Sequence, residues 1–431
     1  GVQRTVKFAK YLPDYGWCPV VWTLDRLPGL PLDPSLADDL PDDVIVYASP
    51  HRSWGSRIRG GMKGVTRRSA LASRVAGAVA WRLDRWPGLS AFPDDCARWA
   101  RQSVGTLLAA IQHHRIEAVY STYSPASNHA LALAVKRRTG LPWVADFRDL
   151  WTDDHGYRAA SARRRAADRD LEQDILDTAD AVIGVSPQQT RVLASHVPDR
   201  ADKFVTITNG FDPQDFIQRP TTPTPRGGRF VLGFFGRFDR WVASDALFDG
   251  LRRCVAQAPA YRAGIEVRVV GHIARTAAAA LASTGVAVEH LDYRPHADAV
   301  RDMMVSDALL LGVPDGPRGA SVIPGKLFEY LASGRRILAV GPPDCEVSRI
   351  LDETRGGMAV EFNADDIACA ITRLYDAWHA GRPLSGAPRA RIEPYTRPVL
   401  TNALARVLDD VAARTTAAST TKTCRRELCT P

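Results

Sequence analysis

Short, apolar, β-branched runs alternate with helix-patterned stretches along the whole of this 431-residue chain, and this alternation restricts the fold more than any other feature. A run of four to six such residues between turn residues reads as a strand. Two such runs joined through a helix become parallel neighbours, because the crossover returns the chain to the same sheet edge. The first half predicts strands at 19–23, 44–47, 118–121, 143–147, 181–185 and 204–206, with helices between them, as at 126–138 and 160–176. The second half repeats the pattern at 230–235, 267–270, 286–291, 308–312, 337–340 and 358–362. The expected class is α/β, built as two Rossmann-like doubly wound domains facing a cleft.

Length agrees with two domains, since single cores stop growing at roughly 250–300 residues. Between the halves, 213–228 carries Pro213, Pro220, Pro223 and Pro225 with two glycines, the composition of a linker. The expected first domain is therefore 1–212 and the second 229–395. The segment 399–412 is patterned as an amphipathic helix, and 413–431 is Thr-rich without an apolar period, so disorder is expected there. Gly1 is not a start residue, and the chain opens on a helix at 6–11 that leads to the strand at 19. In a doubly wound domain the first strand is usually central, so the expectation is that the sequence is truncated or carries a wrong start.

Apolar content of 45% and charged content of 24% fit a globular domain, and no run approaches the roughly 18 apolar residues of a membrane span. Seven scattered cysteines, with no CxxC and no Cys/His cluster at metal spacing, read as reduced packing thiols and leave no metal site and no cofactor to expect. The net charge of +8 is unevenly spread: nine Lys or Arg lie between Arg52 and Arg85 against the single acid Asp84, interleaved with Trp54, Trp81 and Trp86. This basic insertion at 51–90 suits an anionic membrane surface, at about 1 kcal/mol per near-surface cation. The alternative is a solvated insertion. No nucleic-acid-binding motif accompanies the charge, so nucleic acid is not an expected partner.

The most chemically informative stretch is 321–334, Ser-Val-Ile-Pro-Gly-Lys-Leu-Phe-Glu-Tyr-Leu-Ala-Ser-Gly. Pro324 and Gly325 open a turn, Phe328 and Leu331 share a helical face, and Gly334 stands where a helix stops. Backbone N–H groups at the start of that helix attract an anion, Lys326 adds a positive charge, and Glu329, one turn on, can accept hydrogen bonds from sugar hydroxyls. A cation for phosphate beside a carboxylate for ribose suits a nucleoside diphosphate, whereas the plain alternative is an amphipathic helix with two solvated charges.

Further segments follow in order: Gly1-Val2-Gln3-Arg4 with Lys7 to Leu12 and Gly16-Trp17; Ser124-Pro125; Trp143 through Asp146-Phe147-Arg148-Asp149 to Trp151; Val185-Ser186-Pro187; Thr208-Asn209-Gly210-Phe211-Asp212; and Gly236-Arg237. With 321–334 they resemble glycosyltransferases of the GT-B fold, in particular the family 4-like bacterial enzymes that decorate surface polysaccharides. The resemblance implies a hexosyltransferase-type enzyme that moves a sugar, with retention, from a nucleotide-diphosphate sugar to a lipid-linked or polysaccharide acceptor. It also implies a cytoplasmic location, peripheral on the inner face of the membrane, and a terminal helix over 396–412 that crosses back to the first domain. In the resembled enzymes a strand and Gly-rich loop precede the first helix, of which this sequence retains Gly1.

The implied donor-binding set is Gly236, Arg237, Arg240, Ser321, Gly325, Lys326, Leu327 and Glu329, with Arg237 and Lys326 on the diphosphate and Glu329 on the ribose. Ser321 stands where many relatives have a sugar-contacting Glu, and Arg240 is the nearest cation where many have a Lys. Arg148-Asp149, at a strand end, aligns with a His-Asp pair. Asp149 is thus the candidate group for the acceptor hydroxyl and Arg148 a sugar or phosphate contact, against a structural salt-bridged turn as the alternative. Ser124 and Ser127 are expected to cap the following helix, and Asn209-Gly210 to form a turn. The competing functional readings are a sugar-nucleotide epimerase of the same fold and a non-catalytic nucleotide-sugar-binding homologue.

Overall fold

The computed structural model describes residues 2–25, 39–50, 92–154, 156–217, 228–239 and 244–427. Gly1, Arg240 and the basic insertion 51–90 lie outside the described residues. The chain divides into two units, Gly1–Ile207 with Asn402–Pro431, and Thr208–Thr401.

The first unit contains α1 (Val2–Tyr11), β1 (Val20–Leu24), β2 (Ile45–Ser49), α2 (Ala97–His113), β3 (Val119–Tyr123), α3 (Ala126–Thr139), β4 (Trp143–Phe147), α4 (Ala162–Thr178), β5 (Ala181–Gly184), α5 (Pro187–Ser195) and β6 (Phe204–Thr206). Its strands are all parallel but form two sheets, β1-β2 and β3-β4-β5-β6. β4 and β5 are buried along their whole length, as strands covered on both faces must be, which is why β5 reads as an unbroken apolar run and β4 as one interrupted by Asp146 alone. Within that core, Arg4 of α1 donates from Nε and Nη2 to Asp146 of β4 at 2.8 and 3.1 Å and from Nη2 to the Ile207 carbonyl at 2.9 Å. Tyr120 donates to the same carboxylate at 2.5 Å.

The second unit contains β7 (Phe230–Phe235), α6 (Asp245–Gln257), α7 (Pro259–Gly264), β8 (Ile265–Val270), α8 (Arg275–Ala282), β9 (Ala287–Leu291), α9 (His296–Val305), β10 (Ala308–Gly312), α10 (Pro317–Ser321), α11 (Lys326–Ser333), β11 (Arg336–Val340), α12 (Glu346–Thr354), β12 (Gly357–Val360), α13 (Ala364–His379) and α14 (Arg389–Ile392). Its single parallel sheet has the order β9-β8-β7-β10-β11-β12, the doubly wound arrangement in which strand order reverses between the first and fourth strands. Side chains alternate between two cores: Phe230, Leu232, Phe234, Leu338 and Val340 on one face, Phe235, Leu309, Leu311, Ile337 and Ala339 on the other. Each fully buried Leu or Phe contributes roughly 1.5–3 kcal/mol. α15 (Arg397–Glu427) begins in this unit and from Asn402 belongs to the first.

All twelve expected strands are present, within one or two residues of their sequence bounds. Three local readings are corrected. α15 runs to Glu427, through much of the stretch expected to be disordered, because no Pro or Gly follows Pro398 before its end. Neither Ser124 nor Ser127 caps α3; Asp94, brought from another segment, accepts from Ser127 N at 2.9 Å and from its hydroxyl at 2.6 Å. Asn209-Gly210 is a close crossing: a Cβ at Gly210 would lie 2.1 Å from the Tyr395 carbonyl oxygen, where Phe211 and Thr396 form a parallel bridge.

One buried group makes the first unit sensitive to acid. His129 of α3 is wholly buried, its Nδ1 2.8 Å from Ser121 Oγ, which in turn accepts from Trp143 Nε1 at 2.8 Å. Nδ1 shares one hydrogen bond with that hydroxyl, and Nε2, equally buried, has no partner. Burial lowers the His129 pKa to about 3. Above the unfolded-state value of about 6.5 neither state is protonated. Below it the unfolded chain gains a proton that the folded chain refuses, so stability falls by about 1.4 kcal/mol per pH unit down to pH about 3. Denaturation at pH 7.5 and pH 5 should therefore show a loss of roughly 2 kcal/mol from this residue, and His129→Gln should flatten the slope by that amount. Equal slopes for both proteins would mean that His129 ionises freely in the folded chain.

Candidate functional site

In the second unit the candidate residues gather where the strand order reverses. β7 and β10 pair only through Ala308↔Leu232 and Leu309↔Gly233, so their carboxyl ends part. A crevice at such a switch point is where doubly wound sheets take ligands. The divergence leaves the Phe235 N–H without a β10 partner, and the Tyr330 hydroxyl of α11 accepts from it at 2.8 Å in the core. This bond fixes the end of β7, which carries Gly236-Arg237, against the helix that carries Lys326 and Glu329. Gly236 has φ 135°, and a Cβ there would meet nothing within 4 Å. The glycine is thus needed for its backbone conformation, which turns the chain out of the sheet.

Arg237 is largely exposed and donates from Nε to Asp239 at 2.7 Å. At the start of α11, Lys326 Nζ pairs with Glu329 Oε2, the carboxylate being nearly buried and the ammonium one-third exposed. His296, opening α9, lies 3.1 Å from Asp215 through Nε2. Its pKa is raised, chiefly by that hydrogen bond, and the nearby Glu329 carboxylate acts in the same direction. Sequence reading missed Asp215, His296 and Tyr330, which are distant in the chain from the groups they serve; only Asp239, two residues after Arg237, had a local signal.

Ser321 is buried at the end of α10. Gly325 precedes α11 with ordinary right-handed φ and ψ of −56° and −30°, so no glycine-specific conformation is used there. Leu327 has a fully buried side chain, and its N–H is bonded to the Pro324 carbonyl at 3.0 Å.

In the first unit Arg148 and Asp149 follow β4 and pair with each other, Arg148 Nε lying 3.2 Å from Asp149 Oδ2 with the carboxylate half exposed. The loop beyond them is anchored by Glu172 of α4, which accepts from Thr152 N at 3.2 Å and from the Thr152 hydroxyl. Burial raises the Glu172 pKa. Asp146, three residues earlier, belongs to the core cluster with Arg4 and has no exposed surface.

Residues 6–210 match the family model described as a glycosyl transferase 4-like domain. No curated protein sequence matches the chain. Among solved structures, it resembles a glycosyltransferase from Rickettsia africae at TM-score 0.64 and 14% identity, over 95% of this chain and 94% of that one. HepE of Anabaena, solved in complex with UDP and glucose, aligns at TM-score 0.56 and 13% identity over 97% and 96% of the two chains. WaaG, a glycosyltransferase involved in lipopolysaccharide biosynthesis, aligns at 0.55 and 12% over 96% and 95%.

Removing one oxygen tests the link between β7 and α11. Tyr330→Phe leaves the buried Phe235 N–H unpaired, and should cost about 1–3 kcal/mol of stability in chemical denaturation. A loss under about 0.5 kcal/mol would show that the amide finds another acceptor.

Proposed function

We propose that this chain, whose residues 6–210 match a glycosyl transferase 4-like domain and whose fold is GT-B, with two Rossmann-like domains, transfers a sugar from a nucleotide-diphosphate sugar to a lipid-linked or polysaccharide acceptor, with retention of configuration. The observation that carries this reading is the Lys326–Glu329 pair at the start of α11, beside the parted ends of β7 and β10. A diphosphate takes Lys326 and Arg237 at the start of α11 and the end of β7, while Glu329 accepts from ribose hydroxyls. Negative charge on the departing diphosphate then meets fixed cations and a helix dipole, the kind of stabilisation that contributes most to such a step. Arg240 adds a guanidinium to the phosphates and Ser321 a hydroxyl near the sugar. Asp149 receives the acceptor hydroxyl, with Arg148 holding its carboxylate in place.

The acceptor class draws support from WaaG, a glycosyltransferase involved in lipopolysaccharide biosynthesis, and from the basic, Trp-bearing sequence 51–90, which suits docking on the inner face of an anionic membrane. No described helix is long and apolar enough to cross a membrane. Nucleotide sugar incubated without acceptor separates transfer from epimerisation, since an epimerase alters the sugar unaided.

Two substitutions test the assignment. Lys326→Ala and Arg237→Ala should each weaken nucleoside-diphosphate binding by about 1.5–3 kcal/mol in calorimetry, the range for hydrogen bonds to charged groups. Unchanged affinity in both folded variants would overturn the donor site. Asp149→Asn should keep nucleotide affinity and lose roughly 100-fold or more in turnover, because a group used mainly in the transition state lowers kcat. Full turnover would return Asp149 to a structural role and leave the departing phosphate as the base.

A further inference from the structure

His296 stands beside the donor residues without a part in the chemistry proposed for them. It opens α9, directly after the loop that leaves β9, and so lies at the carboxyl edge of the sheet with Gly236 and the start of α11. Three elements meet around it: α9, α11 and the 3-10 turn Pro213–Phe216. Their apolar sides share one core, in which Phe216 of the turn, Val300 of α9, and Leu327 and Tyr330 of α11 are all buried. Val300 is one helical turn beyond His296, so both project from the same face of α9, and the imidazole is carried to the rim of that core. There Nε2 lies 3.1 Å from Asp215 Oδ2, and the ring and the carboxylate keep only 18% and 20% of their side-chain surface. Nδ1 has no hydrogen bond among the described residues. A neutral imidazole that donates to Asp215 from Nε2 offers Nδ1 as an acceptor, whereas the imidazolium offers it as a donor.

The surrounding charges favour the imidazolium. From the turn, the hydrogen bond of Asp215 is the largest influence and outweighs burial; from α11, Glu329 acts with it and Lys326 against it, and the His296 pKa is raised. Other charges nearby are engaged elsewhere. Asp212, at the start of the turn, accepts from Gln214 N at 3.0 Å, Arg237 pairs with Asp239 at the end of β7, and on the side of α9 itself Arg294 pairs with Asp302 and Arg301 with Asp298. Lys326 and the imidazolium are thus like charges with one carboxylate neighbour in common, Glu329. A diphosphate set beside them offsets their repulsion and gains a second attraction, so it binds the protonated protein more tightly than the neutral one. By reciprocity, the bound diphosphate strengthens the hold of His296 on its proton.

We propose that His296, oriented by Asp215, is a further cationic contact of the nucleoside-diphosphate site and gives its Nδ1 proton to a ligand oxygen, so that donor binding is coupled to proton uptake; this rests on the donor site proposed above. Affinity is greatest while the ring is charged and falls as pH rises through the folded-state value of His296. Asp215 acts through the ring, as a positioning residue.

Calorimetric titration of the full chain with UDP, GDP and ADP at several pH values between about 6.5 and 8.5 tests this. For the tightest of the three, the wild-type protein should lose roughly tenfold in affinity over that range relative to His296→Gln, the effect of a coupling of about one pKa unit. Taking the ratio of the two proteins removes the titration of the ligand's own phosphate. In buffers of different ionisation enthalpy, the wild-type protein should take up more protons on binding than His296→Gln. Asp215→Asn keeps the ring but removes the carboxylate, and should move the fall in affinity to lower pH, whereas a merely structural role would weaken binding equally at every pH. His296→Lys, charged throughout the range, should hold its affinity at the upper end, and serves in place of the glutamine variant if that protein does not fold. Parallel pH profiles for the wild type and the folded His296 variants, or an unmoved profile in Asp215→Asn, would overturn the inference and leave the donor site standing. Failure of the wild-type protein to bind any of the three nucleotides would overturn the donor site, and this inference with it.

Discussion

The buried pair between Arg4 and Asp146 holds the first unit together across a break in its sheet. α1 makes no backbone ladder with anything, so its position depends on what its side chains reach. Arg4 reaches furthest, with a bidentate contact to Asp146 on β4 and a further bond to the carbonyl of Ile207 just beyond β6. Phe8, one turn on, lies under the Arg4 guanidinium and meets Tyr120 edge to face. Both charges are almost wholly removed from water, which is expensive by itself and tolerable only because Tyr120, Thr122 and the Ile207 carbonyl complete the hydrogen-bonding. Such an arrangement adds little net stability over apolar packing, but losing one partner typically costs 3–5 kcal/mol. It therefore specifies where α1 sits more than it strengthens the fold.

The second unit meets a related difficulty with a neutral group. Parting β7 from β10 opens the crevice in which a doubly wound sheet takes ligands, and it also strips an amide of its ladder partner. A phenolic oxygen from α11 satisfies that amide, so one bond both closes the deficit and sets the spacing between the Gly236 turn and the Lys326–Glu329 pair. The geometry of the candidate donor site is thus built by strand divergence and repaired by the helix that carries the site.

What could be read from the sequence separates cleanly by range. Parallel strands buried on both faces leave an unmistakable apolar run, so β7 and β10 were legible to the residue. Lys326 and Glu329 were legible as a pair because three residues on a helix make neighbours. Arg4 with Asp146, Ser127 with Asp94, Tyr330 with Phe235 and His296 with Asp215 were not, since each joins elements whose meeting is decided by topology. Gly210 illustrates the same limit: Asn-Gly is a strong turn signal, yet here the missing Cβ serves a close crossing with Tyr395 nearly two hundred residues away. α15 errs the other way, because lack of an amphipathic period argues against packing but not against helix where nothing breaks it.

Two of the Arg or Lys to carboxylate pairs have similar chemistry but surroundings that give them opposite capacities. Around Arg4 and Asp146 every donor and acceptor is engaged by protein and neither side chain has appreciable surface, so a ligand could enter only by dismantling the core. Lys326 and Glu329 sit on a helix start beside open strand ends, with the ammonium one-third exposed and the carboxylate still reachable. Replacing their mutual bond by bonds to a phosphate and a hydroxyl exchanges one charged contact for others, without a fresh desolvation of buried charge. Exposure, more than residue type, is what makes one pair a structural fastener and the other a site.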